Sequence, residues 1–67
     1  MKTIACRFWS KASPRFYVAQ VKGDGGKDWG YTTKINDAIG LSPYWQRRFK
    51  NDCEHCNSTA QFLNITN

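Results

Sequence analysis

Aliphatic side chains are scarce in this chain. Eight of its 67 residues are Ile, Leu or Val, against ten that are Phe, Trp or Tyr. A core of branched aliphatics alone is excluded, so the aromatics must fill much of the interior; each can bury about 150–250 Å². Histidine occurs once and acids five times, against ten Lys and Arg. That leaves little material for acid–base catalysis. At this length there is room for one domain, residues 1–67, near the lower size for folding without staples or metal.

Long apolar runs are missing too, and none approaches the roughly 18 residues of a membrane span. The opening MKTIAC imitates a lipoprotein cleavage site. No apolar segment of about 7–15 residues precedes Cys6, however, and Arg7 follows at once. The triplets beginning at Asn57 and Asn64 match glycosylation sequons, which carry weight only in a secreted protein. Three cysteines make an odd number, unlike a disulfide framework. These features predict a reduced, cytoplasmic protein with no membrane partner.

The alternation that is present predicts strands. In TIACRFW, Ile4, Cys6 and Phe8 share one face and Ala5, Arg7 and Trp9 the other. SKASP reads as a turn, because Pro14 presets its own φ and lacks a donor. RFYVAQVK is a second strand whose pattern fits burial of either face. GDGGKD supplies the positive-φ positions of a hairpin loop. It is no phosphate loop, since Asp28 follows GGK where Ser or Thr would bind magnesium. WGYTTK makes a third strand, NDAIGLS a short helical turn stopped at Gly40, and TAQFLNI a fourth strand. Between them, Ser42-Pro43 starts a helix with a hydroxyl cap and a first-turn proline. That helix can run to Cys56, with Asn57 as a left-handed stop. The expected fold is α+β: a small antiparallel sheet in the order β-β-β-α-β, with one main helix on one face.

The helix ends in CEHC, which raises the question of a metal or redox site. At about 100° per residue, Trp45, Phe49, Cys53 and Cys56 fall on one apolar stripe, and His55 points away from the two thiols. Both cysteines are then expected to face the sheet, with Cys6 looking back at them. A zinc site would need Cys6, Cys53, Cys56, a fourth ligand and an unwound helix end. A redox CxxC belongs at a helix N-terminus, where the dipole stabilises a thiolate, and this pair is at the other end. No metal and no cofactor are expected. Asp52 borders the stripe, with Arg48 one turn earlier as its expected partner.

A lone histidine and scattered acids assemble no catalytic constellation, so the chain is expected not to be an enzyme. The net charge of +5 favours nucleic acid, an anionic membrane surface or an acidic protein as partner. Arg7, Lys11 and Arg15, interleaved with Trp9 and Tyr17, are the strand-side candidates for phosphate contact. An exposed sheet face carrying such residues could stack bases and pair phosphates, although no RNA-recognition consensus occurs. Arg47, Arg48 and Lys50 form the helix-side candidate, favoured because only Asp52 is near to neutralise them.

The run from FYVAQV through WGYTTKINDAI to YWQRRFKND, about residues 16–52, resembles small accessory proteins of phages and prophages. Those read as strands, a threonine-rich lead into a short turn, and a helix with an aromatic–basic surface. The resemblance implies a non-catalytic protein that binds nucleic acid or a host nucleoprotein complex in the bacterial cytoplasm. It equally implies a protein-only inhibitor docking on a host factor, for example an anti-defence inhibitor of a nuclease complex. It assigns no functional residue.

Overall fold

The computed structural model describes residues 1–22 and 28–66. In chain order they form β1 (Lys2–Phe8), β2 (Phe16–Lys22), β3 (Asp28–Thr32), a 3-10 turn (Ile35–Asp37), α1 (Pro43–His55) and β4 (Thr59–Ile65). The strands make one antiparallel sheet in the order β3-β2-β1-β4, so the expected α+β fold with one main helix is present. Of the hairpin loop expected over residues 23–28, residues 23–27 lie outside the described residues, and Asp28 belongs to β3. The molecule measures 32 × 31 × 17 Å, the thickness of one sheet and one helix layer.

Both ends of α1 follow from local sequence. Ser42 is the N-cap and Pro43 the first helical residue, but the Ser42 hydroxyl makes no capping bond. At the other end Asn57 takes φ 56°, the left-handed conformation that Asn tolerates. The Ser58 amide then donates to the Cys53 carbonyl at 2.9 Å and the Asn57 amide to the Glu54 carbonyl at 3.3 Å. This Schellman arrangement satisfies carbonyls that the helix end would otherwise orphan.

The helix buries Phe49 and Cys53 against Ala5, Val18 and Leu41, with Trp29, Trp45, Val21, Ala60 and Phe62 packed around them. Two expectations about cysteine need correction. Cys56 is exposed as the C-cap, so the apolar stripe stops at Cys53. Cys6 does not look back at the helix: Ala5 belongs to the helix-side core, and alternation turns Cys6 to the other face. There its thiol donates to Gln61 Oε1 at 3.8 Å, and burial pushes its pKa up. β1 is a central strand, and Ile4, Ala5 and Cys6 are all buried, so both faces of it are covered.

β1 and β2 pair directly at Cys6–Tyr17 and Arg7–Phe16. Farther along, the segment after the 3-10 turn bridges them. The Ile39 amide donates to the Val18 carbonyl at 3.0 Å, and the Leu41 amide to the Thr3 carbonyl at 2.8 Å. Gly40 permits this approach, because a Cβ there would stand 3.0 Å from Lys2 Cβ. The short turn is thus seated by sheet-like bonds on either side of a glycine.

Candidate functional site

The six candidate cations do not come together. Arg7 is buried on the helix side of β1, where Nη2 donates to Asp52 Oδ2 at 3.0 Å and Nη1 to the Tyr31 hydroxyl at 2.8 Å. Its guanidinium also lies 5.8 Å from the Trp9 ring and 5.6 Å from the Tyr31 ring. Only 11% of the Arg7 side chain is exposed, so this cation joins sheet to helix rather than offering itself to a phosphate. Asp52, expected to pair with Arg48, reaches across to β1 instead. The pairing register also separates Arg7 from Tyr17: Arg7 opposes Phe16 while Tyr17 opposes Cys6, so they point to opposite faces. The shared, exposed face expected for Arg7, Trp9, Arg15 and Tyr17 is not formed.

Arg15 closes the β1–β2 loop. Its Nη1 donates to the Ser10, Lys11 and Ser13 carbonyls at 3.4, 3.3 and 3.0 Å, and the guanidinium stacks 3.9 Å over the Phe8 ring. The Ser13 hydroxyl accepts from the Trp9 and Ser10 amides in the same loop. Lys11 sits exposed at its tip.

On the helix, neighbours in sequence part company. Arg47 and Lys50 lie about 60° apart around the axis, whereas Arg48 lies about 100° from Arg47 and about 160° from Lys50. Arg48 turns to Tyr44: Nη1 donates to its hydroxyl at 3.2 Å, and the guanidinium lies 5.6 Å from the ring. Arg47 and Lys50 line an open groove of about 220 Å³ together with Pro43, Gln46 and Phe62. Gln46 is tied down, its Nε2 donating to the Leu41 carbonyl at 2.8 Å.

This groove has a half-buried ring from β4, an apolar helix start, two exposed cations, and no carboxylate among its lining residues. The chemistry suits an anion joined to a flat or apolar group. Phe62 carries no mark in the sequence, where it is one residue of the alternating fourth strand. Its place beside Arg47 and Lys50 depends on β4 being an edge strand and on the helix lying over it, which no local pattern states.

A second exposed surface is aromatic. Trp9 packs edge-on against Phe16, Trp29 against both Trp45 and Phe49, and Tyr44 against Trp45. Trp9 is 54% exposed and Tyr44 52%, so both present large ring areas to solvent. Tyr31 lies beside Arg7; burial pushes its pKa up, and the Arg7 charge opposes that shift.

His55 uses Nδ1 against the Asn51 carbonyl at 3.0 Å, one turn back on an exposed flank. Cys6, Cys53 and Cys56 are free, and no group of metal-ligating residues gathers among the described residues. No helix among them is long and apolar enough to cross a membrane. Comparison with protein-family models, curated proteins and solved structures found no match.

Proposed function

We propose that this is a non-catalytic, cytoplasmic binding protein that contacts single-stranded nucleic acid, free or within a nucleoprotein complex. The contact runs along the groove between α1 and β4. The observation that carries the reading is the pairing of Arg47 and Lys50 with the ring of Phe62 in one groove without a carboxylate. Phosphates bind the cations and a splayed base stacks on the ring, the combination that single-stranded ligands reward. Two cations give weak affinity, and with no bidentate base reader in the groove, little sequence preference follows. The excess of positive charge over the whole chain supports the same partner.

A second reading, docking on an acidic host protein, rests on a different observation. Trp9 and Tyr44 are both more than half exposed, with the half-buried Arg48 beside the Tyr44 ring, and aromatic and Arg side chains dominate protein interfaces.

Amide chemical shifts on titration with short DNA and RNA oligonucleotides separate the two. Shifts centred on Gln46, Arg47, Lys50 and Phe62 are expected. Shifts confined to Trp9, Tyr31 and Tyr44 would move the interface to the aromatic surface. Absence of any shift at low salt would remove the nucleic-acid reading.

A further inference from the structure

We propose that β4 pairs with β4 of a second copy of this chain, joining two sheets into one across a two-fold axis at Phe62. β4 is an edge strand, with β1 as its single neighbour in the sheet among the described residues. Proteins guard such edges with charge, proline, bulges or short length, because unpaired amides and carbonyls invite another strand. The opposite edge shows such devices: β3 has five residues, carries Asp28 and Gly30, and pairs with β2 through a register shift between Val18 and Gln20. β4 shows none of them. Its sequence, TAQFLNI, is seven residues long without charge, proline or glycine, and it pairs with β1 without a break from Phe8–Thr59 to Lys2–Ile65.

Antiparallel self-pairing centred on Phe62 sets Thr59 against Ile65, Ala60 against Asn64 and Gln61 against Leu63. Each pair falls on a common face of the joined sheet. Thr–Ile is a favourable β-branched pair, and Phe62 meets its own copy in an aromatic pair across the axis. The contact is isologous and closes after two chains. It also changes the groove, because Phe62 is part of the groove's lining. Two grooves then meet at the axis, with Arg47 and Lys50 of each copy flanking one longer cationic surface.

The dimer does not depend on nucleic acid, and salt separates the two ideas by sign. Repulsion between two cationic chains is screened, so the dimer strengthens as salt rises, whereas phosphate binding weakens. The test is sedimentation velocity over a wide range of protein concentration, at low and high salt. Reductant is present throughout, so that exposed Cys56 cannot supply the link. The wild type is expected to form dimer as concentration rises. Thr59→Lys with Gln61→Lys places charge at two exposed edge positions and should raise the dimer dissociation constant at least about tenfold, with circular dichroism unchanged. Asn64→Lys, on the opposite face of β4, should weaken the dimer as well and guards against misfolding of the double variant. A chain that stays monomeric throughout, or a dimer that neither variant weakens, overturns the proposal.

Discussion

Arg7 of β1 and Asp52 of α1 meet at 3.0 Å across 45 residues of sequence and fasten the helix to the central strand. The pair sits at the margin of the core, with Phe49 and Tyr31 also beside the guanidinium. Asp52→Asn leaves the guanidinium short of charge where little water reaches it, and should cost about 1.5–3 kcal/mol in chemical denaturation. Replacing both partners with apolar residues, Arg7→Met with Asp52→Leu, should recover part of that loss, because removing both charges is cheaper than stranding one. A double-mutant cycle with no coupling would show that the contact contributes nothing.

Phe49 is fully buried and touches Trp29 at a centroid distance of 5.1 Å. Phe49→Ala should cost about 3–5 kcal/mol, enough to unfold much of a domain this small at ambient temperature. A melting temperature within a few degrees of wild type would place Phe49 outside the core.

Asn57 holds the helix stop in a left-handed conformation. Asn57→Ala should destabilise by about 1 kcal/mol, while Asn57→Gly should be neutral or stabilising, because glycine has no Cβ to clash there. Equal stability of the two variants would mean that the Schellman turn is not under this conformational constraint.

The pH dependence should be alkaline. Burial raises the pKa of the Cys6 thiol, and it raises that of Tyr31 against the opposing charge of Arg7. For both groups the folded chain holds the proton more tightly than the unfolded one, so stability falls as pH rises. The loss starts at the unfolded values, about 8.5 for Cys and about 10 for Tyr, and ends at the raised folded values. Below about pH 8 neither group contributes a slope. Tyr31→Phe should flatten the upper part of the decline in urea midpoint against pH, and an unchanged curve would remove Tyr31 as a cause.

How far the sequence carried the fold is clearest in β1. Alternation placed the strand and separated its two faces correctly, but it could not rank them, since Ile4-Cys6-Phe8 and Ala5-Arg7-Trp9 both look half apolar. As a central strand, β1 is covered on both sides, and an arginine on the helix side is tolerated because Asp52 waits opposite. Asp52 at the border of the helical stripe is the available clue: it calls for a cation, and Arg48 is nearer in sequence than Arg7, its partner in the fold. The helix limits were legible because Ser42-Pro43 and Asn57 act locally. The groove was legible by half: Arg47 and Lys50 stood out as charge, while Phe62 acquires its position only through strand order.

Phe62→Leu should keep the packing against α1 but remove the stacking face. Oligonucleotide affinity should then drop by about 1–3 kcal/mol, with little change in thermal stability. An affinity equal to wild type would leave phosphate contact alone as the source of binding.

The most direct measurement is the fluorescence anisotropy of a labelled single-stranded oligonucleotide, titrated across a salt series with wild type and with Arg47→Glu plus Lys50→Glu. Two phosphate contacts, one to each cation, should give a slope of about −1.4 in log affinity against log salt for wild type. The double variant should bind no oligonucleotide while its circular dichroism stays unchanged, since both side chains are exposed and sit outside the core. Lys11→Glu, at the tip of the β1–β2 loop, should leave binding within about twofold of wild type, since it is one rim charge far in sequence from the groove. Wild type that binds no oligonucleotide even at low salt, or a double variant that binds as well as wild type, would contradict a nucleic-acid groove between α1 and β4.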